Sequence, residues 1–454
     1  MDDDAGVESA PGAGAVERLR ALIRVPTVSR DDADLQDADA FARFPQLLAE
    51  LYPRIHATLT LERLETPGLL YRWPGRVTGD ALILMAHWDV VPADEEGWTH
   101  EPFSAALTTE PDGTHRIWGR GAIDDKGALA GILEAVEGLL EDGFQPENDV
   151  YLSFGGDEEV QGAAAEQAVA VLRERGVAVD FVLDEGGAVV QGQFPGVSEP
   201  TAVIGIAEKG IATIELRATE PGGHAAHPPR SGRTATARLA RAILRVSRAV
   251  PAGLPPTAYP MFAALGRRAR GLLGLAYRHP RLFRPVLLRA LATGSDEANA
   301  LIRTTRVVTR LRGAAADNVL PEVALASVNM RIVVGSTIDA EVDRIRRDVA
   351  DDGVVVRVVR GSDPPPVAPA TGRPWDRLVT ALASSHPDAV AVPYAMLGAT
   401  DGRHFTRLTP AVYRFTPFEL TKAELAGLHA IDESIRVEAY LRGIAFYRAL
   451  LETA

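Results

Sequence analysis

Cysteine is absent from the 454-residue chain. That excludes disulfides, thiolate nucleophiles and cysteine-based zinc sites, and it is compatible with a reducing compartment. No uninterrupted apolar run approaches the ~20 residues needed to span a bilayer. The opening Met1-Asp-Asp-Asp4 is acidic where a secretory signal carries a basic patch before an apolar core. A cytoplasmic protein is the expectation. Positive charge is in deficit, with 48 Lys and Arg against 61 Asp and Glu and a net charge of −13. This balance argues against general affinity for nucleic acid or anionic lipid, so neither is an expected partner. With 46% hydrophobic and 24% charged residues, the chain reads as globular and longer than one core usually covers. Two domains are predicted.

Residues 1–14 are small and polar, and read as a disordered tail. A helical apolar rhythm follows in Val16, Leu19, Leu22 and Ile23. From there to about residue 205, strands alternate with helices. Ala81–Ala86 and Val150–Phe154 are continuous apolar runs, as strands buried on both faces require, and Gly127 to Leu140 reads as a helix. Such alternation predicts an α/β domain, a sheet with helices on both faces. Near Glu208-Lys-Gly210 the pattern becomes apolar-polar alternation. Strands 211–217, 304–311, 324–333 and 354–359, with helices 234–246 and 338–349, form an inserted α+β unit. The expected division is 1–206, an insert 207–362, and 363–454 returning to the first domain after Asp363-Pro-Pro-Pro366.

Short acidic and histidine-bearing motifs close the apolar runs. They are Ala-His87-Trp-Asp89, Gly119-Arg-Gly-Ala-Ile-Asp124-Asp125-Lys-Gly127, Gly155-Gly-Asp157-Glu158-Glu159, Asp184-Glu185-Gly-Gly187 and His429-Ala-Ile-Asp432-Glu433. Imidazole and carboxylate are the donors that hold borderline divalent metals such as zinc. Each motif also has a plain structural reading. His87 can be a satisfied core histidine, Asp157 a helix cap ahead of a solvated Glu158-Glu159, Asp184 a turn cap, and His429 a surface residue. Gathered on one sheet edge, they hold enough groups for two ions with a carboxylate left for proton transfer.

With Trp98-Thr-His-Glu-Pro-Phe-Ser104 and Gly398-Ala-Thr-Asp-Gly-Arg-His404, these motifs make the chain resemble the M20 metallopeptidases over nearly its whole length. The closest branch is that of carboxypeptidase S and the N-acyl-amino-acid hydrolases. The resemblance implies a zinc-exopeptidase-like catalytic domain with a central mixed sheet, and a ferredoxin-like insert acting as lid and dimerisation domain. It implies two Zn²⁺ per subunit, with Co²⁺ or Mn²⁺ as substitutes. Asp124 would bridge them, His87 and Asp184 completing one site and Glu159 and His429 the other. Glu185 is the neighbouring competitor to Asp184, because much of the family has Glu there. Glu158 is then the general base, Asp89 the partner orienting His87, and Asp125 structural; the family commonly has a cis peptide after the bridging Asp.

In the insert, Gly222-Gly-His224-Ala-Ala-His227-Pro-Pro229 resembles a family stretch whose histidine reaches a partner subunit's active site and stabilises the oxyanion. His224 takes that role by resemblance, which implies a homodimer. Ala225 and Ala226 replace two family serines, and His227 reads as structural. Asn318 and Arg331 fall where the family holds substrate. Thr400, Asp401, Arg403 and His404 form a second candidate cluster, with Arg403 suited to a carboxylate. The implied activity is cleavage of an amide next to a free carboxylate, in N-acyl amino acids or at the C-terminus of short peptides. A deacetylase or desuccinylase of a biosynthetic intermediate, and a metal-poor binding homologue, are the alternatives. One segment stands apart. Residues 251–295 carry seven arginines and no Asp or Glu, and read as two helices broken near His279-Pro280. A cover for long acyl chains is the working expectation; attraction to a membrane surface and solvated arginines are the other readings.

Overall fold

The computed structural model describes residues 12–30, 32–94, 96–160, 162–248 and 250–454. The tail expected to be disordered lies outside them up to residue 11. Two compact units result: residues 1–206, 367–394 and 400–454, and residues 207–366 with 395–399.

The first unit is built on an eight-stranded mixed sheet. Its spatial order is Thr60–Arg63, Gly68–Trp73, Val150–Gly155, Ala81–His87, Val179–Val190, Val412–Leu420, Thr201–Glu208 and Val390–Met396. Four of these run parallel: Ala81–His87 pairs in parallel with both Val150–Gly155 and Val179–Val190, and Val412–Leu420 with Val179–Val190. All seven residues of Ala81–His87 are buried. Alternate side chains of a strand face opposite sides. Leu82, Leu84 and Ala86 join one core with helices Ala13–Ile23, Lys126–Glu141 and Val437–Leu451. Ala81, Ile83 and Met85 join another with Ala165, Ala168 and Leu172 of helix Ala163–Glu174. Both faces are covered, which is why the run is continuous rather than alternating.

Sequence reasoning did not anticipate helix Ala38–Leu51 or the edge strand Thr60–Arg63. A three-stranded sheet, Ser434–Arg436, His115–Trp118 and Leu107–Thr109, pairs Ser434 with Trp118. This pairing carries the 429–433 loop to the 119–125 loop. Lys126 is wholly buried below it; its Nζ donates to the carbonyls of Leu22 and Val25 at 3.2 and 2.6 Å and faces the Phe44 ring.

The second unit has the succession β-α-β-β-α-β of a ferredoxin-like fold. Its antiparallel sheet is ordered Thr305–Arg312, Val323–Ile332, Gly210–Thr219, Val354–Ser362. Helices Ala235–Val246 and Ile338–Val349 pack on one face against Ile214, Leu216, Val328 and Met330. Each starts at a threonine whose hydroxyl accepts a backbone N–H, Thr234 from Ala237 and Thr337 from Ala340. The basic segment forms three short helices, not two: Ala258–Gly266, Gly271–Arg278 and Arg284–Gly294, with Asp296–Leu301 following it; the expected break near His279-Pro280 separates the second from the third. Gly271, at φ 67°, supplies the first break. Among the described residues, no helix is long and apolar enough to cross a membrane.

Candidate active site and metal centre

The carboxyl ends of parallel strands are where backbone direction lets several loops converge, and the first unit uses them so. His87 ends its strand and pairs with Gly155, the last residue of the neighbouring strand. The chain then passes Gly156, where a Cβ would collide with the Trp88 indole, and reaches Asp157. Asp157 accepts the Ala163 and Ala164 N–H groups at the start of the following helix, at 2.9 and 3.2 Å. It thus satisfies the first two N–H groups of that helix, whose N-cap residue is Gly162, and Glu158 and Glu159 are left to turn inward.

Asp89 organises both sides. Its fully buried carboxylate accepts the Ser29 hydroxyl at 2.6 Å and the backbone N–H groups of Glu158 and Glu159 at 3.2 and 3.1 Å. His87 Nδ1 lies 3.0 Å from the Asp89 carbonyl and 3.3 Å from its carboxylate. A proton on Nδ1 satisfies both and directs Nε2 to the other side. There Nε2 meets Asp124 Oδ1 at 3.0 Å and Glu185 Oε2 at 3.4 Å. The second oxygen of Asp124 lies 2.9 Å from His429 Nε2, which is 3.3 Å from Glu159 Oε1. His429 occupies the left-handed region at φ 57°, a conformation uncommon outside glycine but less so for histidine.

Two groups able to hold a metal ion therefore share one residue: His87, Asp124 and Glu185, and Asp124, Glu159 and His429. The donors are oxygen and imidazole nitrogen, the set that suits zinc and its neighbours. Glu159 Oε1 is buried, with His429 Nε2 3.3 Å from it. Protonation energetics agree. Burial, then Asp124 and Asp184, push the Glu185 carboxyl up to about 8 against the pull of His87. Burial and Glu185 raise Glu158 well above the carboxylate range. Hydrogen bonding to Asp124 and Glu159 lifts His429 to about 10. For Asp124, burial is outweighed by hydrogen bonds from His429 and His87, which hold it below its usual range. These shifts share an origin: more negative than positive charge is packed out of water, which favours cations. The residues fit a pair of divalent ions.

Glu185, rather than Asp184, lies within ligand distance of His87 and Asp124. Asp184 accepts the Gly402 N–H at 2.6 Å, and Glu185, one residue on and across the pleat, faces His87. The structure brings His87, Asp124, Glu159 and His429 together, with Glu158 and Asp89 beside them. Asp125 is buried after a cis Asp124–Asp125 bond, and its Oδ2 accepts the His87 N–H at 3.2 Å. Thr400, Asp401, Arg403 and His404 lie in the first unit. Arg403 Nη1 donates to the Thr400 carbonyl at 2.7 Å. Asp401 lines a small cavity with His87, Glu158, Ser153 and Asp184, and burial raises it to about 8. His224, Asn318 and Arg331 belong to the second unit. There His224 pairs with Val319 in a two-stranded ribbon, and its Nδ1 accepts the Ala226 N–H at 3.0 Å. Arg331 sits on the central strand Val323–Ile332.

A residue without an assigned role proves central. Glu433 is fully buried and accepts Arg120 Nη1 at 2.8 Å and the N–H groups of Gly121, Ile123 and Asp124 at 3.1, 2.8 and 3.1 Å. It locks the loop carrying Asp124 onto the loop carrying His429. The signal was present in sequence only as an arginine within Gly119-Arg-Gly and an acid closing the last motif.

Residues 83–453 match the model of peptidase family M20/M25/M40, and the chain belongs to this family. It is an M20-type metallohydrolase. Its relatives include the probable carboxypeptidase S-like 2 of Dictyostelium discoideum, 34% identical over 96% of this chain and 84% of that one. The N-fatty-acyl-amino acid synthase/hydrolase PM20D1 of Xenopus tropicalis is 33% identical over 97% and 85%. Among solved structures, the M20 family metallo-carboxypeptidase Sso-CP2 of Sulfolobus solfataricus superposes with a TM-score of 0.69 at 17% identity. It covers 100% of this chain and 99% of that one.

Proposed function

We propose that this chain is a two-zinc hydrolase that cleaves an amide bond next to a free carboxylate, in N-acyl amino acids or at the C-terminus of short peptides. The observation that carries this reading is the pair of ligand groups hinged on Asp124, with Glu158 half-buried in the cavity lined by His87 and outside both groups. His87, Asp124 and Glu185 would hold one ion, and Asp124, Glu159 and His429 the other. Zinc bound there would act as a Lewis acid toward the scissile carbonyl and make a water molecule more acidic. Glu158 takes a proton from the attacking water and delivers it to the departing amine. Asp89 keeps His87 in the tautomer with Nε2 facing the ligand group, and fixes the backbone from which Glu158 projects.

Both classes of relative bear names of enzymes whose substrates present a carboxylate, N-fatty-acyl amino acids or peptide C-termini. Arg403, Thr400, Arg331 and Asn318 are the assigned carboxylate and amide holders. His224 from a second copy is the oxyanion donor of a homodimer formed through the inserted unit.

The test is a hydrolysis panel on metal-loaded protein, with N-acyl amino acids of graded acyl length, dipeptides, and the same compounds with the carboxylate amidated. Free acids are expected to turn over, and amidation to lower kcat/KM by about 100-fold or more, because the half-buried guanidinium that holds the carboxylate loses its charged partner. Equal cleavage of acids and amides would refute the carboxylate requirement.

A further inference from the structure

The basic segment of the second unit exposes more than its arginines. Arg267, Arg268, Arg270, Arg278, Arg281, Arg284 and Arg289 are all exposed. None has a carboxylate partner among the described residues, whereas ion pairs are frequent elsewhere, as at Arg306 with Glu341 and Asp348. Large aliphatic side chains stand between them in solvent: Leu272 is 85% exposed, Leu282 76%, Val286 62% and Leu275 40%. Leu272 and Leu275 lie three residues apart on helix Gly271–Arg278, and therefore on one side of it. Leu282 lies between Arg281 and the half-buried Phe283, with Arg284 next and Val286 one turn further on. Single exposed leucines need no explanation, but four within this stretch, ringed by unpaired cations, do.

None of this segment's phenyl or phenol rings is exposed as an open platform for stacking nucleic-acid bases, Tyr259 and Phe283 being half-buried. Phe262 and Tyr277 are buried and stack on each other with ring centroids 5.4 Å apart. Arg281 is held across Tyr259, 5.4 Å from its ring centre. What remains outward is guanidinium, aliphatic carbon and the single imidazole of His279. An anionic lipid surface meets both: the arginines pair with headgroup phosphates, and the leucines enter the acyl boundary. Since the chain as a whole carries −13, attraction to such a surface must be local to this segment. No described helix is long and apolar enough to cross a bilayer, and the contact considered is with the membrane surface.

We propose that residues 267–289 form a docking surface for anionic membranes, with Leu272, Leu275, Leu282 and Val286 as the inserting side chains. This amends the expectation drawn from net charge, and it does not depend on the reaction assigned above.

The test is co-sedimentation of the full chain with phosphatidylcholine vesicles, with and without 30% phosphatidylglycerol. The wild-type protein is expected to partition at least about ten-fold better to the anionic vesicles in low salt, and to lose most of this preference at 0.5 M salt. Arg284→Glu/Arg289→Glu is expected to lower binding more than about ten-fold, and Leu282→Ser/Val286→Ser several-fold. Both variants should keep the wild-type melting temperature and turnover of a short-acyl substrate. Absence of binding to either vesicle, equal binding to both, or variants that sediment like wild type would each overturn the proposal. So would equal capture by soluble polyglutamate beads, which would assign the surface to an acidic protein.

Discussion

Glu158→Ala is expected to keep its full complement of metal while kcat falls roughly 10²–10⁴-fold, the usual contribution of a positioned general base. The side chain belongs to neither ligand group, so its loss removes a proton acceptor without opening the metal centre. The backbone there is held independently, since the N–H groups of Glu158 and Glu159 both bond to Asp89 at 3.2 and 3.1 Å. Glu159 should stay in place. Metal analysis beside steady-state kinetics checks the prediction. A variant that loses metal in step with activity, or that retains activity within ten-fold, would remove Glu158 from the proton-transfer role.

Glu433→Ala should be damaging without any contact to substrate. Its carboxylate is 0% exposed and pairs with an Arg120 guanidinium that is 1% exposed. Deleting one partner of such a pair leaves a buried charge uncompensated, at a cost of about 3–5 kcal/mol. For a unit of this size that corresponds to a drop of roughly 5–10 °C in Tm. The Trp98 ring and the Ala430 carbonyl still face Arg120, which places the outcome toward the lower end. The same change frees the N–H groups of Ile123 and Asp124 and loosens the shared ligand. Metal affinity is expected to fall about 10–100-fold, as when partners behind ligands are removed. Calorimetry and metal titration read the two effects separately; a variant unchanged in both would show that Glu433 does not couple the two loops.

What was legible in the sequence follows from how the parallel strands are built. Continuous apolar runs announced strands buried on both faces, and the residues that end them were bound to sit together at the sheet's carboxyl edge. His87, Asp157 to Glu159, and Asp184-Glu185 could be placed there on that ground. The choice between Asp184 and Glu185 could not. In a strand with one solvated face, alternation reveals which side each residue takes; with both faces buried the pattern carries no phase. Only the pairing of Val179–Val190 with its neighbours sets it. Glu433 was hidden for a different reason, since its partners lie more than 300 residues away in sequence. Thr60–Arg63 was missed because an edge strand with a Glu and an Arg in four residues resembles a loop. In the basic segment, the positive φ at Gly271 adds a break to the one near His279-Pro280, and so divides into three what composition alone suggests are two helices.

The central claim is that Asp124 serves two ions at once. Elemental analysis of the protein saturated with zinc and freed of excess tests it most directly, when wild type is set beside His429→Ala and Asp124→Ala. The account predicts two ions per chain in the wild type, about one in His429→Ala, and close to none in Asp124→Ala. A wild-type protein fully active with no more than one ion, or an Asp124→Ala protein that still holds two, would contradict it.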